Sequence, residues 1–133
     1  MPYLQLDLPA RYAPEVKQRV AGRLGALYAE VMQTRRSMVN VGFRELGEDN
    51  LYRCGDGEPV AGLVVMCDIR RGRPADQRRR LAEGILAICA EELGVRADAV
   101  VVQFTQHAAD EMYRDGGWGR EWSESEAAPP DEA

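Results

Sequence analysis

The sequence predicts an α+β chain in which two β-α-β repeats form one four-stranded mixed sheet with two helices on one face. Three observations predict it. Short apolar/polar alternations of strand period flank two stretches whose apolar residues recur at helical spacing. The second half repeats the first at a single offset of 61 residues: Val20, Leu24, Leu27, Val39, Val41 and Phe43 fall on Leu81, Ile85, Ile88, Val100, Val102 and Phe104. Right-handed crossovers then place both helices on the same side of the sheet.

Each element has its own signal. Tyr3 to Leu8 alternates, with Leu4, Leu6 and Leu8 on one face, and Pro9 ends the strand. Pro14 suits a first helical turn, and Val16, Val20, Leu24, Leu27 and Val31 carry the apolar stripe to about Thr34. Val39, Val41 and Phe43 alternate in a second strand. "GEDNLYRCGDGEP" is a turn-rich connection with room for a short hairpin around Leu51 and Tyr52. "AGLVVMCDI" is a nearly continuous apolar strand, Pro74 opens the second helix and Gly94 ends it, and Val100, Val102 and Phe104 mark the fourth strand. The repeats span about 2–46 and 60–106 within a domain of 1–122, and "SESEAAPPDEA", 123–133, has the composition of a disordered acidic tail.

Composition limits the function classes. The 133 residues are one domain's length, and a net charge of −5 argues against nucleic acid as the main partner. No apolar run approaches the roughly 20 residues that span a bilayer, and no signal-peptide layout opens the chain, so a cytoplasmic protein without membrane contact is expected. Cys54, Cys67 and Cys89 show no Cys-x-x-Cys spacing and read as reduced core thiols rather than metal ligands. The strand Leu63 to Cys67 is apolar toward both sheet faces, yet the helices cover only one, so identical subunits are expected on the other.

Two features carry chemistry. Aminopeptidases remove an initiator methionine that precedes proline, so Pro2 is expected as an amino-terminal secondary amine at the mouth of the first strand. An α-amino group titrates near ~8 in water, and desolvation or a neighbouring arginine would bring it toward the pH at which a general base works best. Pro2 as a plain strand start is the alternative. The second feature is "RRGRPADQRRR". Arg70, Arg71 and Arg73 crowd the entry to a helix, where the backbone dipole disfavours cations, so a bound carboxylate or phosphate explains Arg70 and Arg73 better than local stability does. Arg78, Arg79 and Arg80 read as the wet face of the helix.

Pro2 behind Met1, the doubled β-α-β unit and "RRGRPADQRRRLAEGI" together resemble the tautomerase superfamily over roughly residues 2–120. Gly72, Arg73 and Gln77 are similar to the signature of its tautomerases, and Arg70 with Arg73 to the carboxylate clamp of cis-3-chloroacrylic acid dehalogenase. The resemblance implies a tautomerase/MIF-like fold, a homotrimer, catalysis by Pro2 on a small carboxylate substrate, and neither metal nor organic cofactor. Departures accompany it. The dehalogenase's histidine falls on Tyr28, its later tyrosine on Gln103 and its water-activating glutamate on Arg114, with Asp115 the neighbouring carboxylate. These four are accessory candidates.

The expected activity is therefore keto–enol tautomerisation of a 2-oxo or enol acid. Two alternatives stand beside it: a dehalogenase-like hydratase, dehalogenase or decarboxylase, and a non-catalytic trimeric binding protein of the same fold, which a retained Met1 would favour. Lesser candidates have local readings. Arg44 either points to the cavity or forms a salt bridge, Arg11 and His107 read as structural, and Trp118 and Trp122 wall a pocket or seal a subunit boundary.

Overall fold

The computed structural model describes residues 2–126. Met1 and 127–133 lie outside the described residues, and with them most of the expected acidic tail. Its first four residues, 123–126, are described, and Glu124–Glu126 form a single 3-10 turn.

The chain order is β1 (Tyr3–Leu8), α1 (Pro14–Met32), β2 (Asn40–Glu45), β3 (Tyr52–Arg53), β4 (Val60–Ala61), β5 (Leu63–Arg70), α2 (Ala75–Leu93), β6 (Val100–His107), β7 (Tyr113–Arg114) and β8 (Gly117–Trp118). The main sheet runs β2-β1-β5-β6. β1 pairs parallel to β2, and β5 parallel to β6, which are the two repeats; β1 and β5 join them antiparallel. This is the mixed four-stranded sheet the repeat predicted. The short hairpin expected near Tyr52 is the β3–β4 pair.

Period decides what the sheet buries. Leu4, Leu6 and Leu8 alternate inward on β1, and Leu63, Val65, Cys67 and Ile69 do so on β5, all at 0–1% exposure. Against them lie Val20, Leu24, Tyr28, Val31 and Met32 of α1, and Leu81, Ile85, Ile88 and Cys89 of α2. The helices lie side by side, close enough that a Cβ on Gly84 would sit 2.7 Å from the Leu27 methyls. Gly94, at φ 67°, takes the left-handed conformation that closes α2, the role its position predicted. Burial pushes the Cys67 thiol up to about 12 and the Cys89 thiol to about 11, as befits core thiols. Cys54 corrects the sequence reading: it is exposed in the β3–β4 connection.

Among the described residues the opposite sheet face has no helix. Val64 and Met66 of β5 are half-buried there, and Val101 of β6 is 37% exposed. On the same face Arg44 forks onto Asp7, with Nε–Oδ1 at 2.7 Å and Nη2–Oδ2 at 2.9 Å, which settles Arg44 as a salt bridge. Among the described residues no helix is long and apolar enough to cross a membrane.

Candidate active site

The antiparallel register of β1 on β5 builds the site. Tyr3 stands opposite Asp68, so the residue before Tyr3 falls at the level of Ile69, beside Arg70. Pro2 is buried there, and its carbonyl accepts a hydrogen bond from the Asn40 N–H at 3.1 Å, fixing the start of β1 against β2. The end of β5, the last turns of α1 and the hairpin β7–β8 complete a cavity of about 720 Å³.

Six of the seven candidate residues line it: Pro2, Tyr28, Arg70, Arg73, Arg114 and Asp115. Gln103 does not. It is exposed on β6 opposite Met66, on the sheet face without helices, because its place in the alternation puts it on the face opposite to that of Pro2 and Leu4. The first turn of α2 also stays out of the cavity, so the helix-start N–H groups expected to assist an anion are not part of the lining.

The two arginines are held differently. Arg73 is 6% exposed, and its Nε donates to the Met32 carbonyl at 2.9 Å, capping the end of α1. The Trp122 ring lies 5.5 Å from its guanidinium carbon. Burial pulls Arg73 below its ordinary value, and the Arg70 charge adds to this. Arg70 instead presents its fork to the cavity, where Nη2 meets Glu126 Oε2 at 2.6 Å and Nη1 meets Oε1 at 3.3 Å. Arg70 Nη1 also donates to the Arg120 carbonyl at 2.5 Å.

Tyr28 reaches the cavity from α1 with 1% exposure, and burial raises its phenol to about 12. Near neutral pH it is therefore a hydrogen-bond donor and not a base. Arg114 and Asp115 sit on a tight hairpin. Asp115 at φ 52° and Gly116 at φ 79° give the two left-handed residues of a type I′ turn, closed by Tyr113 edge-on to Trp118 at 5.0 Å. Arg114 Nε bonds Asp115 Oδ2 at 2.9 Å.

Sequence reasoning missed Arg35, Arg120 and Glu126 in the lining. Arg35 follows α1 in "TRRS", a basic run that was legible; nothing in an acidic tail marked Glu126. Trp118 walls the cavity, while Trp122 covers Arg73. His107 lies outside the lining, its Nδ1 3.1 Å from Asp68 Oδ1. Among the described residues no group of three or more His, Cys, Asp or Glu is placed to hold a metal ion.

The sequence profile described as macrophage migration inhibitory factor (MIF) matches residues 1–118. The chain belongs to the MIF family. Solved structures extend the relation. This MIF-family chain is 26% identical to N1, a member of the cis-3-chloroacrylic acid dehalogenase (cis-CaaD) family, covering 93% of this chain and 87% of that one at a TM-score of 0.82. A fused 4-OT in the form of an asymmetric trimer aligns at TM-score 0.78 with 20% identity, over 87% of this chain and 94% of that one. Macrophage migration inhibitory factor from Toxoplasma gondii aligns at 0.74 with 18% identity, over 87% and 98%. No curated protein sequence is significantly similar. The MIF-family chain thus carries the tautomerase/MIF fold in its two-repeat form.

Proposed function

We propose that the chain is a cofactor-independent tautomerase of a small 2-oxo or enol carboxylic acid, acting through an unblocked Pro2. The observation that carries this reading is the cavity shared by Pro2 and Arg70. Arg70 holds the substrate carboxylate through two charge-assisted hydrogen bonds. Neutral Pro2 takes the proton from the carbon beside the 2-oxo group, and the C–H electron pair becomes the enol double bond. The carbonyl oxygen receives the negative charge, which the Tyr28 hydroxyl and the buried Arg73 cation stabilise. That oxygen then takes a proton from protonated Pro2, directly or through water, which restores the neutral amine, and ketonisation is the same path reversed. The net change is an isomerisation that consumes no water.

The assay is the decay of enol absorbance with phenylenolpyruvate or 2-hydroxymuconate. Catalysis above the spontaneous rate is expected, and decay at the spontaneous rate with both would end this reading.

A second reading, hydration, dehalogenation or decarboxylation of a small unsaturated or 3-oxo acid, is favoured by the 26% identity to the cis-CaaD family member. The Asp115 carboxylate in the lining also suits activation of water. It predicts release of halide, carbon dioxide or aldehyde, and silence in all three assays removes it.

The working form in this proposal is a cytoplasmic homotrimer, whose neighbours cover Val64, Met66 and Val101. Light scattering is expected to give three times the 14.8 kDa chain mass. A monomer at micromolar concentration would remove the assembly from the account.

A further inference from the structure

Residues 120–126 lie along the turn between β5 and α2 and engage each of its three arginines. The Arg120 carbonyl takes Arg70, and Glu121 Oε2 pairs with Arg71 Nε at 3.0 Å. The other Glu121 oxygen accepts the Ala109 N–H at 2.7 Å. Trp122 stacks on Arg73 and packs on Gly72, where an added Cβ would lie 3.4 Å from the Trp122 carbonyl oxygen. At the far end, Glu126 forks onto Arg70 inside the cavity that Pro2 lines.

The two ends of this strap are held by different contacts: Glu121, 48% exposed, has a backbone and a side-chain donor, and Glu126 has the Arg70 fork. The Glu121 carboxyl is kept below its ordinary range by the Ala109 N–H first and by Arg71 next. Trp122 is half-buried. The Glu126 side chain is 37% exposed, and among the described residues Arg70 is its one ion-pair partner. Arg70, at 14% exposure, therefore carries a carboxylate in the geometry that a bound acid would adopt.

We infer that Glu126 is an internal occupant of the anion site: its carboxylate takes the two Arg70 nitrogens an incoming carboxylate needs, so 123–126 closes the Pro2 cavity until a ligand displaces it. Glu121 and Trp122 stay in place as the hinge. The inference rests on Arg70 being the carboxylate group of the proposed function, but not on any turnover at Pro2. An internal competitor lowers apparent affinity by the fraction of molecules in which it is displaced. For an ion pair whose carboxylate is part-exposed, that amounts to roughly three- to tenfold.

The test is equilibrium titration with benzoate, an acid that cannot enolise, followed by tryptophan fluorescence in the full-length protein. Glu126→Gln, which keeps the shape without the charge, is expected to tighten benzoate binding about three- to tenfold, and Glu126→Ala at least as much. Arg70→Ala should abolish binding in either background. Unchanged or weaker binding in both Glu126 variants overturns the inference, as would be seen if the pair merely held the fold together. Binding of benzoate by none of the proteins also overturns it, because Arg70 is then no anion site. Repeating the titration in Pro2→Ala separates the two claims: tightening there stands even if the enol assay is silent.

Discussion

Replacing Pro2 by alanine is expected to lower kcat/KM for enol acids by about 10²- to 10⁴-fold, the usual worth of a placed general base. The expectation follows from position. Pro2 is buried at the cavity wall, anchored through its carbonyl on Asn40, so its nitrogen cannot be replaced by a neighbouring base. The other groups around it are poor substitutes: burial raises the Tyr28 phenol to about 12, the arginines have no acceptor, and the Asp115 and Glu126 carboxylates are engaged by Arg114 and Arg70. Alanine in the same place still offers a primary amine, which accounts for residual activity. The pH profile carries the sign. The neutral amine removes the proton, so the rate for enolisation should fall as pH drops through the pKa of Pro2 and level off above it. An alanine variant with wild-type kcat/KM removes Pro2 from the mechanism.

Arg70 and Arg73, three positions apart in one turn, are expected to fail in different ways. Arg70→Ala should raise KM by roughly 10- to 100-fold, the value of a hydrogen-bonded charge pair on the substrate, while thermal stability changes little. Its partners in the resting chain are the part-exposed Glu126 and the Arg120 carbonyl, at the edge of the fold. Arg73→Ala should instead lower folding stability by about 1–3 kcal/mol, because the buried Met32 carbonyl loses its donor and Trp122 its stacking partner. Calorimetric melting of both variants beside their kinetics checks the contrast. Equal losses of stability, or a wild-type KM in Arg70→Ala, would contradict it.

The fold was legible because its two repeats carry the period of their elements in apolar residues, and packing then follows. Leu4, Leu6 and Leu8 on one strand, and Leu81, Ile85 and Ile88 on one helix, suffice to say which faces meet. The core of the site was legible for a related reason. Antiparallel pairing of the two repeats brings the start of the first strand to the end of the third, so Pro2 and Arg70 are neighbours by topology. What could not be read lies where contacts are made by single side chains from irregular chain. Arg73 sits in the same motif as Arg70, but only the end of α1 reveals that its donor serves Met32. Gln103 matched a family position in register and yet faces away from the cavity of its own chain. The hairpin around Asp115 and Gly116 had a turn signal in "RDGG" between aromatic residues, whereas Glu126 had none, since one acid among several in a polar segment does not announce its partner.

The central claim is that an unblocked Pro2 nitrogen acts beside a bound carboxylate. The most direct measurement compares the initial rate of phenylenolpyruvate ketonisation by two forms of the chain, separated and identified by intact mass, one beginning at Pro2 and one retaining Met1. Activity is expected in the Pro2 form, with at least about 10²-fold less in the form whose proline nitrogen is acylated and has no basic lone pair. Equal activity in the two forms would contradict it.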